Sequence, residues 1–284
     1  MQYKIQSPTR YRTASRRTDT KIISSTLRFP ALILIPGITL LLLSSPASAI
    51  VNVEQAIIGK HAEGLHTSLG LSVDGESGST NKISSKVDLL TLWRHGDNTE
   101  FLQFQYAYGK SSGLVDTDRA FVHLRHRTDI NSNLGVEGFV QTGRNPSARL
   151  TRRTLLGGGI RWVMFEEENT SAGYLGLGAF HEQEILTEEL GTSDPRESDL
   201  WRANIYLVLK SQLNEQVRAY STTHYQPAFS DTKDYRVLEQ TSMLVKMREN
   251  LDWKVGLDIA FDSKPPQTVR KRDLTYSTGL EFSF

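Results

Sequence analysis

The chain has 284 residues, 38% hydrophobic and 23% charged, with no cysteine and a formal net charge of +1. This composition excludes a disulfide framework and thiolate metal sites, excludes a disordered chain, and gives no reason to expect a nucleic-acid partner. The average hides a split, because residues 1–49 carry seven Lys/Arg against one Asp while the remainder holds 26 basic and 31 acidic side chains.

The first segment reads as an export signal. Lys4, Arg10, Arg12, Arg16, Arg17, Lys21 and Arg28 form a positive start, an apolar run follows from Ala31 to Leu43, and Ala47-Ser48-Ala49 closes it. The run is too short for a transmembrane helix and is broken by Pro36-Gly37. With small residues at the end, the pattern predicts a secretory signal peptide over 1–49, cleaved after Ala49. Arg16-Arg17 stands far from the apolar run, so it reads as part of the positive start rather than as a twin-arginine signal. Residues 50–63 are too short for a domain and are expected to be a periplasmic N-terminal segment.

From residue 64 onward the chain alternates. Leu65, Thr67, Leu69, Leu71 and Val73 share one strand face, and Ile83, Val87, Leu89, Thr91 and Trp93 lie opposite Lys82, Lys86 and Asp88. Leu102, Phe104, Tyr106 and Tyr108 alternate with Gln103 and Gln105, and Trp253, Val255, Leu257, Ile259 and Phe261 with Lys254, Asp258 and Asp262. Period two over this many segments signals a sheet. Twelve strands are predicted: 64–74, 82–95, 99–110, 118–129, 133–142, 153–166, 170–184, 199–211, 215–226, 235–248, 251–262 and 272–284. Each is long enough for a tilted membrane-spanning strand.

Five connections are tight and polar: Gly96-Asp97-Asn98, Asn131-Ser132, Glu167-Glu168-Asn169, the neighbourhood of Asn214, and Glu249-Asn250. Six are expected to be longer: 75–81, 111–117, 143–152, 185–198, 227–234 and 263–271. Their alternation predicts an all-β, twelve-stranded antiparallel transmembrane up-and-down β-barrel over 64–284, with short periplasmic turns and longer external loops. Trp93 and Trp162 fall shortly before tight turns and Trp253 shortly after one, which predicts a girdle at the periplasmic interface, with Trp201 in the opposite girdle. The last strand alternates through Tyr276, Leu280, Phe282 and Phe284, a pattern that resembles the assembly signal of bacterial outer-membrane barrels.

The stretch Arg152-Arg153-Thr154-Leu155-Leu156-Gly157-Gly158-Gly159-Ile160, then Tyr174-Leu175-Gly176-Leu177-Gly178 and Glu184, resembles the barrel family known as domain of unknown function 481. Some of its members are called salt-induced outer-membrane proteins. Asp262-Ser263-Lys264-Pro265-Pro266, Asp273-Leu274 and Leu280-Glu281-Phe282-Ser283-Phe284 fit that family's ending. The resemblance covers about residues 65–284. It implies an outer-membrane location and recognition by the barrel-insertion machinery, and it brings no catalytic residues.

The search for chemistry is largely negative. His123 and His126 are three apart on a strand, so they point to opposite faces and cannot share a metal ion without a bulge. Ser221 and His224 fail as a nucleophile–base pair for the same reason. Gly157-Gly158-Gly159 and Gly176-x-Gly178 lie within strands with no helix following, so they suit close packing against a bulky neighbour such as Tyr174 or Phe180 rather than phosphate binding. The acidic loop 185–198 carries Glu188, Glu189, Asp194 and Glu197. Simple solvation is the expectation, with bridging of lipopolysaccharide phosphates through divalent cations as the alternative.

The inward face is more informative. Arg119, His123, Arg125 and Arg127 form a basic ladder, joined by Arg161, Arg202, Arg218, Lys246 and Lys254, with Glu137, Asp258, Asp262, Asp273 and Glu281 opposing them. Either the ladder meets water in a narrow pore that favours small polar or anionic solutes, or it is salt-bridged in a closed interior. The expectation is a monomeric, passive channel among outer-membrane lipid and lipopolysaccharide, without cofactor, metal or catalytic site. A closed structural or envelope-stress barrel is the alternative, and a lipid-acting enzyme comes third.

Overall fold

The computed structural model describes residues 63–76, 82–167 and 170–283. The signal segment, nearly all of 50–63 and Phe284 therefore lie outside the described residues. Twelve strands follow one another: β1 Gly64–Glu76, β2 Lys82–His95, β3 Asn98–Ser111, β4 Leu114–Asp129, β5 Leu134–Asn145, β6 Leu150–Glu167, β7 Ser171–Leu186, β8 Glu197–Gln212, β9 Val217–Pro227, β10 Tyr235–Arg248, β11 Leu251–Asp262 and β12 Arg272–Ser283. Each pairs antiparallel with its sequence neighbours, and β1 pairs with β12 to close the barrel. Closure abolishes free sheet edges, the condition for a sheet to cross a bilayer.

The closing ladder runs only from Ser68↔Ser283 to Ser72↔Gly279, whereas β1 and β2 pair along their whole length, from Gly64↔Arg94 to Glu76↔Lys82. The connections depart from the expected alternation at two places. Residues 111–117 do not form a long loop, because β3 and β4 meet through Ser112-Gly113 alone, with Lys110↔Val115 and Ser111↔Leu114 continuing the ladder. Both turn residues take positive φ, 50° and 83°, the hairpin geometry that follows the natural strand twist. The 143–152 connection is likewise shortened to a single 3-10 turn at Pro146–Ala148.

The distribution of side chains is inverted relative to a soluble barrel. Leu65, Val73, Leu124, Leu156, Trp162, Leu177 and Tyr276 are exposed on the outside, while Arg125, Arg153, Arg161, Glu137, Glu182, Arg202 and His224 are buried inside. Water as the outer solvent would penalise both halves of this arrangement, and hydrocarbon favours both.

The interior has two unlike halves. Strands β2–β10 send bulky groups inward, with Leu92, Phe101 and Phe121 in one cluster, Phe139, Leu155 and Phe180 in another, and Tyr174, Tyr206, Val208, Tyr220 and Leu244 in a third. Glycines make room where rings crowd. A Cβ on Gly176 would lie 2.0 Å from the Tyr206 ring, and one on Gly157 would lie 2.5 Å from Phe180 Cβ. Strands β11, β12 and β1 instead turn small residues inward: Gly256 and Ala260, Thr275, Ser277 and Gly279, then Ser68, Gly70 and Ser72.

Candidate functional site

The bulky half is knitted together by ion pairs. Glu182 on β7 accepts from Arg202 Nε at 2.9 Å through one oxygen, and from Arg153 Nε at 2.8 Å and Arg236 Nη1 at 2.5 Å through the other. These arginines come from β8, β6 and β10, and each has a second acidic partner: Arg153 with Glu184, Arg202 with Asp234, and Arg236 with Asp262. Full pairing is what allows so many charges to be buried together.

Below this cluster, Arg125 Nη1 meets Glu137 at 3.1 Å, and Tyr206 Oη donates to the other Glu137 oxygen at 2.8 Å. Tyr206 on β8 thus reaches across the interior to β5. His123 stacks on Phe139, its Nε2 accepts from Arg125 Nε, and its Nδ1 donates to Gln141 Oε1 at 3.0 Å. Arg161 lies over the Tyr174 ring, 4.1 Å from its centre. Arg127 pairs with Asp129, Arg218 with Asp252, and Lys254 with Glu281.

The basic ladder therefore meets carboxylates and rings. His123, Arg125, Arg127, Arg161 and Arg202 are buried, Arg119 and Arg218 are half-buried, and Lys246 is exposed at the turn end. Of the opposing acids, Asp273 is buried and Asp258, Asp262 and Glu281 are half-buried. The hub Glu182 and its partner Arg236 were not singled out as interior groups by sequence reading, nor was Tyr206. Their phase carries the signal, since Glu182 and Glu184 continue the inward parity of Tyr174, Gly176 and Gly178.

Above the cluster, the mouth is bridged. Arg149, in the β5–β6 connection at φ 58°, donates to Thr187 O, to Thr192 Oγ1 at 3.0 Å, to Asp194 at 2.6 Å and to Gln267 O at 2.8 Å. Asp194 also accepts from the Gln267 amide, and Glu189 from Thr268 Oγ1 at 2.7 Å. The β5–β6 and β11–β12 connections lie six strands apart in a ring of twelve, so this contact spans the opening. Beneath it sits a small pocket lined by Leu150, Leu186, Pro265, Pro266 and Val269 and by Glu184, Arg236 and Asp262. The acids of the 185–198 loop are thus largely engaged, Glu189 and Asp194 in the bridge and Glu188 with Arg196 of the same loop.

In the loop after β9, Asp231 is bonded to Lys264 Nζ at 2.5 Å. That bond holds the carboxyl below its ordinary range and the ammonium above its own.

The remaining candidates sort by face. Trp93, Trp162 and Trp253 are exposed on the outer face near the tight-turn end, with Trp253 Nε1 donating to Thr278, and Trp201 is exposed near the other end. Tyr276 and Leu280 are exposed on the outer face, Phe282 is half-buried opposite Leu69 and Leu251, and Phe284 lies outside the described residues. His123 is inside and His126 outside, beside Glu100. His224 is buried, while Ser221 donates to Glu239 on the outer face at 2.8 Å. No reactive pair forms between Ser221 and His224.

The family described as "Protein of unknown function, DUF481" matches residues 69–284. No curated protein matches the chain by sequence. Among solved structures, the chain is similar to the translocator domain of the autotransporter NalP from Neisseria meningitidis, with 13% identity, a TM-score of 0.50, and coverage of 81% of this chain and 92% of that one. It is also similar to the NanC porin, with 9% identity, a TM-score of 0.48, and coverage of 77% and 99%. A third likeness is to the KdgM porin in complex with disordered oligogalacturonate, with 12% identity, a TM-score of 0.43, and coverage of 78% and 99%. At 13% identity and a TM-score of 0.50, the likeness to the NalP translocator domain is one of fold alone.

Proposed function

We propose that this chain, which belongs to the DUF481 family, is an outer-membrane barrel that lets small polar solutes pass passively along one side of its interior. The observation that carries the reading is accessibility within a closed wall. Lys254 faces inward from β11, yet its side chain is 39% exposed, whereas Arg125 and Arg202 on the bulky half are 4% and 3% exposed. A side chain turned inward from a closed wall and still accessible borders unfilled space inside that wall. The small residues Gly256, Thr275, Ser277, Gly279 and Ser72 turn inward beside Lys254 on β11, β12 and β1 and leave that space unfilled. Resident charges within a narrow polar lumen are how such passages admit hydrophilic solutes and reject lipid.

The same reading sets the tight turns in the periplasm and the bridged loops outside, with the tryptophans as interface belts among lipid and lipopolysaccharide. Export through the signal peptide and insertion by the barrel-assembly machinery, guided by the last strand through Phe284, belong to it. A closed structural barrel is favoured by one specific feature, the ion-paired plug around Glu182 beneath a bridged mouth.

Planar-bilayer recording and liposome swelling separate the two. Discrete steps, and swelling in small sugars, are expected for the native protein. Ser277→Tyr should reduce the step size by about half or more, since a ring fills a lumen walled by glycine and serine. A heat-modifiable, folded protein that is silent in both assays would leave the closed barrel as the function.

A further inference from the structure

We infer that the passage is charge-balanced, and that it serves neutral polar or zwitterionic solutes rather than anions. The inference rests on the channel reading above and names its solute class. Among the described residues, eight charged side chains gather around this side of the lumen: Lys86 and Asp88 from β2, Arg119 from β4, Arg218 from β9, Asp252, Lys254 and Asp258 from β11, and Glu281 from β12. Four are cationic and four anionic.

They interleave rather than segregate. Lys86 Nζ lies 3.2 Å from Asp88, and Lys254 Nζ lies 2.8 Å from Glu281. Asp88 also accepts from Gln103 Nε2 at 2.8 Å and from Gln105 Nε2. Asp258 is bonded to Gln240 and feels Lys86, Arg119 and Lys254 around it, while Lys254 in turn feels Asp88 and Asp258. The nine-member basic ladder read from sequence suggested an anion path. Arg125, Arg127, Arg161 and Arg202 are withdrawn into the plugged half, and of that set Arg119, Arg218 and Lys254 belong to this group.

Ion selectivity in a wide-enough polar pore needs a net field along the path. Opposite charges about 3 Å apart present a dipole, whose potential fades faster with distance than that of a lone charge and is screened further by salt. What survives at close range is paired donors and acceptors: ammonium beside carboxylate, three glutamine amides, and the Thr275 and Ser277 hydroxyls. That set matches a solute carrying both kinds of group, such as a polyhydroxyl compound or an amino-acid-like zwitterion. A simple anion meets Asp88, Asp258 and Glu281 at every level where it meets a lysine.

The test uses the full protein extracted from the membranes of an expressing Gram-negative cell, recorded in planar bilayers under a tenfold KCl gradient. The native reversal potential is expected near zero, with a cation-to-anion permeability ratio within about a factor of two of unity. Asp258→Asn should shift it toward anions and Lys254→Met toward cations, in opposite directions from the same baseline. In liposomes, neutral sugars and glycine should enter faster than acetate-sized anions. A native channel that conducts but prefers one sign by more than about fivefold would overturn charge balance and leave the channel standing. Conducting variants with unmoved reversal potentials would overturn the assignment of these residues to the path. A folded protein silent in both assays would remove the channel and this inference together.

Discussion

Replacing Glu182 by glutamine is expected to destabilise the barrel by about 2–3 kcal/mol. The carboxylate is 1% exposed and is held by three guanidinium groups at 2.5–2.9 Å. Stranding a buried charge costs about 3–5 kcal/mol, and three stranded arginines would cost more than a typical barrel can lose. Here none is stranded. Arg153 keeps Glu184 at 2.9 Å, Arg202 keeps Asp234 at 2.9 Å, and Arg236 keeps Asp262 at 2.8 Å. What is lost is the charge-assisted part of the bonds to one acceptor, about 1.5–3 kcal/mol. The new amide also turns donors toward donors, which puts the estimate in the upper part of that range. Urea unfolding in lipid vesicles, followed by fluorescence of the four outward tryptophans, reads the change. A loss below about 0.5 kcal/mol would mean the cluster is hydrated rather than dry, and a loss above about 5 kcal/mol would mean the second carboxylates do not take over. A cycle with Arg236→Gln should show coupling of about 1–3 kcal/mol, as expected for groups sharing one network.

Arg149→Ala should release the bridge over the mouth, seen as larger or more frequent conductance steps and faster tryptic cleavage at Arg270 and Lys271 in intact cells. Unchanged cleavage would mean the loops hold each other without it. Gly176→Ala places a methyl group against the Tyr206 ring and should cost about 1–3 kcal/mol in the same unfolding assay, with Tyr206→Leu in the same chain recovering part of the loss. Removing Phe284 is expected to lower the yield of heat-modifiable barrel in membranes, and equal yields would remove it from the assembly signal. Asp231, held ionised by Lys264, should titrate by NMR below the ordinary carboxylate range, and Lys264→Ala should move it up. Because the folded value is depressed, the pair's contribution is present above the ordinary carboxylate value and disappears as pH falls through the folded one. Contact with solvent keeps that contribution small, so the variant's melting temperature should not move measurably.

The strands and their faces were legible because period-two alternation is imposed by the pleat and lipid demands apolar residues on one face only. Nine of the eleven connections could be bounded to within two residues for the same reason, since alternation stops where pairing stops. The 111–117 segment was misread because Lys110-Ser111-Ser112-Gly113 has turn chemistry and Leu114-Val115 breaks the expected phase at a bulge between Gly109 and Lys110. Which charges line the lumen was legible from parity. Which of them meet one another was not, because Arg153, Arg202 and Arg236 converge on Glu182 from three other strands, and parity carries no information about distance around the ring. The bridge was equally hidden, since Arg149 and Gln267 are separated by half the barrel in strand order and meet only when the wall closes.

The two halves of the interior follow from one steric rule applied with opposite outcomes. On β5–β8, glycines at 157 and 176 face rings from neighbouring strands, so the space they open is filled and the half becomes solid. On β11, β12 and β1 the small residues face one another: Gly256 stands opposite Ser277, and Gly279 opposite Ser72. No ring faces these pairs, and theirs is the unfilled space on which the channel reading rests. Volume in the first half is spent on rigidity, which holds Glu137, Tyr206 and the Glu182 cluster in register. A substitution that moved bulk across, such as Tyr206→Ala together with Ser277→Tyr, should therefore relocate the passage or close it, even though total interior volume changes little. Under a reading in which strand number alone sets the bore, the same exchange would leave conductance nearly constant. Single-channel recording of the double variant distinguishes the two, and preserved native steps would refute the asymmetric interior as the origin of the passage.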